Sequence, residues 1–338
     1  MKGTVLVKPN EIQVLELETP EPKAGELRIK LTKVGICGSD VHLFLGHRLL
    51  DKALTIGHEG LGYIDKIGEG VQGRTVGERV VIEPNIPCGH CKHCLSGNGN
   101  ICVNKRVIGV NEAGCFAEYI VVPANFAWKI PDEISDENAV TIEPMAVAVH
   151  ALFEAKVKPG DAIAVVGLGA IGLLISHLAL ALGYKVLVTE INNHKVAMAT
   201  ALGAIAAIAT GDLAQQTEEL SAIWEAHDVE AVFECAGVSH TASLATAATP
   251  RGAEIILVGL ANQLATFRPL KIAREGIHIV PSIIYKHPFD FKRTIQLIAS
   301  KVINPSFIIS SHYPLQDLQT ALSEAAKGHE SKVIVNIA

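Results

Sequence analysis

The chain has 338 residues, 49% of them apolar and 19% charged, enough to bury a sizeable core and too many for one typical domain. Lysine and arginine total 29 against 35 acidic residues, a formal charge of -6, so the electropositive footprint of a nucleic-acid-binding protein is missing. Seven cysteines is an odd count, and four fall within fifteen residues, which points to metal ligation rather than a disulfide scaffold.

The amino terminus holds only a four-residue apolar stretch, too short for a secretory signal, so a cytoplasmic location is expected. Residues 1 to about 147 carry short β-type runs at 27–34, 80–83 and 117–122, separated by Gly, Pro and Asp turns. From about residue 158 the texture becomes an alternation. It predicts strands at 162–166, 185–189, 205–209, 229–234, 254–258 and 277–280, with helices at 170–182, 193–202, 213–226 and 240–248. Unbroken apolar strands alternating with helices imply a parallel sheet covered on both faces, hence an α/β, doubly wound domain. A helix at 290–299 and a last strand at 332–337 close the chain; with no phosphate loop of their own, they are assigned back to the first domain. The expected organisation is one domain of residues 1–147 and 285–338, interrupted by a second of residues 148–284. The mean hydropathy of +0.31 raises a membrane question, because residues 162–184 are 23 in a row without a charge. Gly167, Gly169, Gly172, His177 and Gly183 interrupt that run, which reads as strand, turn and buried helix rather than a span.

Gly167-Leu168-Gly169-Ala170-Ile171-Gly172 is a G-x-G-x-x-G turn between a predicted strand and a predicted helix. Gly167 makes the tight turn, Gly169 lets the backbone approach a pyrophosphate, and Gly172 lets the helix pack close to the strand. The first turn, with Ala170 and Ile171, offers unpaired N–H groups to the phosphates. Glu190 stands 18 residues past Gly172 at the end of the next strand, where a carboxylate accepts both hydroxyls of an adenosine ribose and repels a 2′-phosphate. NAD is therefore expected over NADP. Lys195, one turn further on, is placed to hold the ribose edge. The competing reading is a glycine-rich turn that binds nothing.

Cys88, Cys91, Cys94 and Cys102 put four soft ligands in one glycine-rich loop. Four thiolates saturate zinc and leave no position for water, so this site would be structural. His90 and His93 lie inside the loop, but the four-cysteine set needs no substitute; Cys115 and Cys235 read as core thiols. A second constellation joins Cys37, in Gly-Ile-Cys-Gly-Ser-Asp-Val-His, to His58, in Gly-His-Glu-Gly. A catalytic zinc takes three protein ligands and an exchangeable fourth position, and Glu59 and Glu143 are both candidates to complete the set. A lone buried glutamate such as Glu143 is costly unless a metal charge offsets it.

Taken in order, the segments 35–42, 57–60, 88–102, 143–150 and 167–172 resemble the zinc-containing medium-chain dehydrogenase/reductase superfamily, alcohol and polyol dehydrogenases, over essentially the whole chain. The resemblance implies a GroES-like β-rich catalytic domain interrupted by a Rossmann domain, with one catalytic and one structural zinc per chain. Cys37 and His58 then stand as catalytic zinc ligands, with Glu59 as third or exchanging ligand. Glu143 matches the acid that sorbitol-type members carry where other alcohol dehydrogenases have cysteine. Zinc would activate an alcohol oxygen, hydride would pass to the nicotinamide, and Ser39 would send the proton through the cofactor ribose to His42. His47 and His150 are left as structural. Val258, Gly259 and Leu260 resemble the segment that holds the nicotinamide amide. Tyr285, Lys286 and His287 suggest a hydroxylated substrate. The expected activity is NAD-dependent oxidation of a polyol, cyclitol or sugar-derived secondary alcohol. The alternatives are a threonine-type amino-alcohol dehydrogenase and a zinc-stabilised NAD-binding protein without chemistry. No membrane or nucleic-acid partner is expected, and the resemblance implies a homodimer or homotetramer.

Overall fold

The computed structural model describes residues 1–337 and divides into two compact units. The first comprises Met1–Pro144, Lys286–Ala299 and Asn304–Ala338; the second comprises Met145–Tyr285 and Ser300–Ile303.

The first unit is built on the strand Glu26–Ile36, where Leu27, Ile29 and Leu31 alternate with Arg28 and Lys30 at the two-residue period of a half-buried strand. Those three side chains are fully buried in the unit's core, and each contributes roughly 2–3 kcal/mol of apolar transfer energy. Around this strand runs a seven-stranded sheet in the order Ile309–Pro314, Lys332–Asn336, Glu26–Ile36, Glu59–Ile67, Arg79–Ile82 and Ala127–Lys129, with Tyr119–Pro123 also pairing with Glu26–Ile36. The pairing converges on one strand end. Gly35 pairs with Glu59 on one side, and Val333 pairs with Ile36 on the other, so the carboxyl end of Glu26–Ile36 lies between two strands that each bring a charged side chain.

The second unit is a six-stranded parallel sheet in the order Ile205–Ala206, Lys185–Thr189, Ala162–Val166, Val229–Glu234, Glu254–Leu257 and His278–Pro281. Numbered within the unit this is 3-2-1-4-5-6, the order of a doubly wound dinucleotide fold. Every residue of Ala162–Val166 is buried, as its unbroken apolar run requires. The uncharged run that starts there resolves into this strand, a glycine turn and the helix Ala170–Ala181, and no helix among the described residues is long and apolar enough to cross a membrane.

Several elements depart from the sequence pattern, three of them for identifiable reasons. The strand expected at 205–209 is only Ile205–Ala206, a sheet edge paired on one side. Helix Pro269–Glu275 buries none of its residues, so it carries no apolar stripe to detect; Pro269 starts it and Gly276, at φ +64°, ends it. Helix Ile142–Glu154 is apolar on almost every side and lacks the polar face that marks amphipathic helices.

Candidate metal and cofactor sites

The cysteine loop closes into a compact sulfur cage. The Sγ atoms of Cys91 and Cys94 lie 3.5 Å apart, and the Cys88–Cys94 and Cys91–Cys102 pairs are each 3.9 Å apart. Sulfurs at about 2.3 Å from a tetrahedral zinc are about 3.8 Å from one another, so the cage has the size of the ion. Local backbone builds it: Gly89 and Gly97 turn with φ near +78° and +79°, and the short helix Lys92–Leu95 starts at Cys91. The Cys88 amide donates to the Cys102 sulfur at 3.3 Å and the Cys91 amide to the Cys88 sulfur at 3.4 Å. The thiols cannot all ionise side by side: burial pushes Cys94 up to about 12, while the Cys94 backbone amide helps draw Cys91 down to about 6. A divalent cation removes that conflict, so the donor set fits zinc. His90 is occupied by the Cys88 carbonyl at 2.8 Å.

The second cluster forms where the strand Glu26–Ile36 ends. Ligand atoms of Cys37, His58 and Glu59 all lie within 4.8 Å of one another. Cys37 is the N-cap of helix Gly38–Phe44, and Asp40, three residues on, accepts the Cys37 backbone amide at 2.9 Å, as in a capping box with cysteine in the serine position. Asp40 is fully buried, and its other oxygen lies 3.2 Å from His58 Nδ1, an electrostatic contact without hydrogen-bond alignment. A carboxylate on one imidazole nitrogen orients the ring and raises the basicity of the other nitrogen, as is usual behind a metal-bound histidine. Burial works against a charged His58, but Asp40 and Cys37 outweigh it and hold His58 well above the ordinary histidine value.

Glu59 faces a second buried charge. Lys332 Nζ donates to both Glu59 oxygens, at 2.7 and 2.8 Å, and to the Ile36 carbonyl at 3.1 Å. Gly35 is glycine for the same reason: a Cβ there would collide with the Glu59 carboxylate. Neither Asp40 nor Lys332 was among the residues expected from sequence. The Cys37-x-x-Asp40 capping spacing signals the first; a lysine opening an otherwise apolar strand, 273 residues from its partner, carries no local signal for the second. Glu143, buried in the first turn of helix Ile142–Glu154, is outside the converging triplet, yet its charge helps raise both Cys115 and Lys332. Cys115 itself is fully buried and, chiefly through burial, pushed up to about 12, the state of an inert core thiol. Ser39 and His42 follow Cys37 on the same short helix, with His42 exposed. His47, expected to be structural only, places its Nδ1 3.2 Å from Nδ1 of His42. His150 is buried. Of the polar trio at 285–287, Tyr285 is buried and His287 is engaged by Glu83 at 2.7 Å and stacked on Phe126.

In the second unit the glycine turn has the geometry its sequence implies. Gly167 is left-handed at φ +92°, and a Cβ there would come within 2.7 Å of the Ala236 amide nitrogen; a Cβ on Gly172 would strike the Gly167 carbonyl. Gly169 caps helix Ala170–Ala181 without a side-chain bond, and the space beside it is open, so the first-turn amides at Ala170 and Ile171 face a cradle suited to a pyrophosphate. Glu190 ends the neighbouring strand and accepts the amides of Leu168 at 2.7 Å, Ile191 at 2.8 Å and Asn192 at 3.0 Å. A carboxylate has about four acceptor directions, so about one remains for a ribose hydroxyl rather than the two expected. Lys195 is buried on helix Asn193–Ala201. Val258 and Gly259 donate to the Glu234 carbonyl at 3.0 and 2.8 Å, which fixes this turn at the sheet's carboxyl edge and leaves Leu260 exposed.

Comparison with known proteins agrees with this geometry. Residues 23–132 match the Alcohol dehydrogenase GroES-like domain, and residues 170–300 match the Zinc-binding dehydrogenase family. The chain is 33% identical to the starvation-sensing protein RspB of Escherichia coli K12, over 99% of each chain. It is 32% identical to the sorbitol dehydrogenase of Bacillus subtilis, over 96% of this chain and 93% of that one. Among solved structures, an alcohol dehydrogenase (rspB) from Escherichia coli CFT073 complexed with NADH superposes with a TM-score of 0.92 at 31% identity, covering 100% of this chain and 99% of that one. A zinc-binding dehydrogenase of Sinorhizobium meliloti bound to NADP superposes with a TM-score of 0.91 at 30% identity, covering 99% of each. With a GroES-like unit, a Rossmann unit and full-length relatives of this kind, the chain belongs to the zinc-containing medium-chain dehydrogenase/reductase superfamily of alcohol and polyol dehydrogenases.

Proposed function

We propose that the protein is an NAD-dependent dehydrogenase of a polyol, cyclitol or sugar-derived secondary alcohol. The observation that carries this reading is the convergence of Cys37, His58 and Glu59 within 4.8 Å at the end of one strand, the donor set of an open zinc site. Cys37 and His58 hold the metal, with Glu59 or Glu143 as the carboxylate, and Asp40 orients His58 from behind. A zinc held there would supply Lewis-acid activation of an alcohol oxygen, and NAD would supply the hydride acceptor. Ser39 would take the hydroxyl proton as it releases its own, and the exposed His42 would exchange a proton with solvent. Glu190, at the ribose position, favours NAD because a second phosphate there would meet a carboxylate.

The test is an absorbance assay of purified, zinc-loaded protein with NAD or NADP against polyols, cyclitols, sugar alcohols, threonine and simple primary alcohols. Reduction of NAD by a polyhydroxylated secondary alcohol is the expected outcome. Turnover of threonine alone would move the protein to the amino-alcohol class, and silence on every alcohol would leave an NAD-binding protein without chemistry.

A further inference from the structure

Helix Gly38–Phe44 ends in a Schellman turn, and the turn brings two imidazoles into contact. Leu45 caps the helix and Gly46 turns left-handed at φ +75°. The His47 amide then donates to the His42 carbonyl at 3.0 Å and the Gly46 amide to the Leu43 carbonyl at 3.1 Å, the two bonds that define the motif. Its backbone is held in place: a Cβ on Gly46 would strike the Pro9 ring, and the Asn10 amide donates to the Phe44 carbonyl at 2.7 Å. In such a turn the side chain two places past the cap lies against the one three places before it, commonly as an apolar pair. Here both positions are histidine. The rings of His42 and His47 have centroids 5.5 Å apart and Nδ1 atoms 3.2 Å apart, and both residues are exposed.

Contact through the two Nδ1 atoms restricts both rings. Two protonated nitrogens cannot share that bond and neither can two bare ones, so one ring carries the Nδ1 proton and the other accepts it. A neutral His42 that donates has a bare Nε2, the nitrogen with which an imidazole works as a base. Ser39 and His42 are three residues apart and share a face of the helix. The pair thus resembles a histidine held at Nδ1 by a carboxylate while Nε2 does the chemistry, with an imidazole in the carboxylate's place. Charges on the elements around this helix have partners of their own. Lys8 meets Glu11 at 3.0 Å beside the Asn10 turn, and Glu324, on the helix Leu318–Ala326 that packs against it, meets Lys327 at 2.7 Å. On the helix itself Asp40 is turned to Cys37 and His58. Arg48, Asp51 and Lys52 follow His47 on the exposed loop.

We infer that His47 is a positioning residue for proton transfer: by accepting the Nδ1 proton of His42 it holds that ring in the tautomer whose bare Nε2 takes up the proton relayed from Ser39. The inference rests on the reading of Ser39 and His42 as the proton path. In that path the Ser39 oxygen gains the alcohol's proton as its own hydroxyl proton is passed on to His42 Nε2. The imidazolium so formed gives a proton to water, which reaches the exposed rings and restores the starting tautomers.

The test uses full-length, zinc-loaded protein and its His47→Leu and His47→Gln variants. His47→Leu keeps an apolar side chain for the turn but no acceptor, whereas His47→Gln keeps an oxygen for the Nδ1 proton. With nitrogen-15-labelled histidine, NMR of the wild type should show His42 protonated at Nδ1, the signal being assigned by its loss in His42→Asn. In His47→Leu that signal should move toward the Nε2-protonated form that free histidine favours. Against a polyol oxidised by the wild type, His47→Leu should lower kcat by about tenfold near pH 7, part of the 10²–10⁴ a general base typically supplies, with KM within about twofold. The deficit should shrink as pH rises or when imidazole is added, because solvent bases then take the proton. His47→Gln should stay within about threefold of the wild type, and the melting temperature of His47→Leu should match the parent. An unchanged His42 tautomer in His47→Leu overturns the inference, as does a kcat deficit that neither pH nor imidazole relieves and that follows a lowered melting temperature, the mark of a purely structural residue. Wild-type protein that oxidises no alcohol removes the proton path and the inference together, whereas an active wild type matched by His47→Leu at every pH removes the inference alone.

Discussion

Lys332 and Glu59 form a buried, two-pronged ion pair at the edge of the Cys37–His58 cluster, with side chains 3% and 0% exposed. Burying both charges costs several kcal/mol of hydration, and their attraction returns it only while both are present. Lys332→Met should therefore destabilise the protein by about 3–5 kcal/mol, and pairing it with Glu59→Gln should recover most of that loss. Denaturant titration of the two singles and the double mutant checks this. Additive losses would mean that the two groups are not coupled as drawn.

The same pair bears on metal binding. Glu59 is within reach of a metal held by Cys37 and His58, but both its oxygens are claimed by Lys332. Metal analysis of purified protein should give two zincs per chain. Cys37→Ser should keep one zinc and lose turnover, whereas Cys102→Ser should lose the other zinc along with the order of the loop around it, because each sulfur there is one corner of the cage. Loss of both metals from either variant would show that the two clusters had been wrongly separated.

Much of the fold was legible in the sequence because the signals are local. Five of the six strands of the parallel sheet, the glycine turn and the four cysteines announce themselves through periodicity or short spacing, and the strands 162–166, 185–189 and 229–234 are found where their apolar runs place them. What was not legible depends on tertiary pairing. Lys332 reads as an ordinary strand-opening lysine until the antiparallel register sets it beside Ile36, and Glu234 reads as a strand terminus until its carboxylate meets three later donors. Helix Pro269–Glu275 was hidden for the opposite reason: none of its residues is fully buried and only Ile272 packs on the core, so no apolar stripe marks it.

His177 offers a pH test away from the metal cluster. It lies on helix Ala170–Ala181, and burial lowers its pKa from the ordinary 6.5, so the folded protein keeps it neutral where the unfolded chain would take a proton. Its contribution to stability is complete above about pH 6.5 and is lost as pH falls from there toward the lowered native value, because in that window the unfolded state binds more protons. Replacing it with glutamine should flatten the fall in melting temperature between about pH 7 and 5 relative to the parent. An identical slope in both proteins would mean that His177 is not a source of that pH dependence.

Glu190 tests cofactor choice, and its bonds to the backbone give any substitution there two effects. Because its carboxylate accepts the amides of Leu168, Ile191 and Asn192, Glu190→Ala loosens the glycine turn as well as removing a ribose acceptor. The first effect weakens NAD and NADP alike; the second weakens NAD alone, and losing the carboxylate also relieves repulsion of a 2′-phosphate. The ratio of kcat/KM for NAD over NADP should thus drop by about tenfold or more, one charge-assisted hydrogen bond being worth roughly 1.5–3 kcal/mol, even though both absolute values fall. Glu190→Gln retains an oxygen for the turn but loses the charge, so it should spare overall activity and still shift the ratio. If both variants lower NAD and NADP in equal proportion, Glu190 serves the turn and does not select the cofactor.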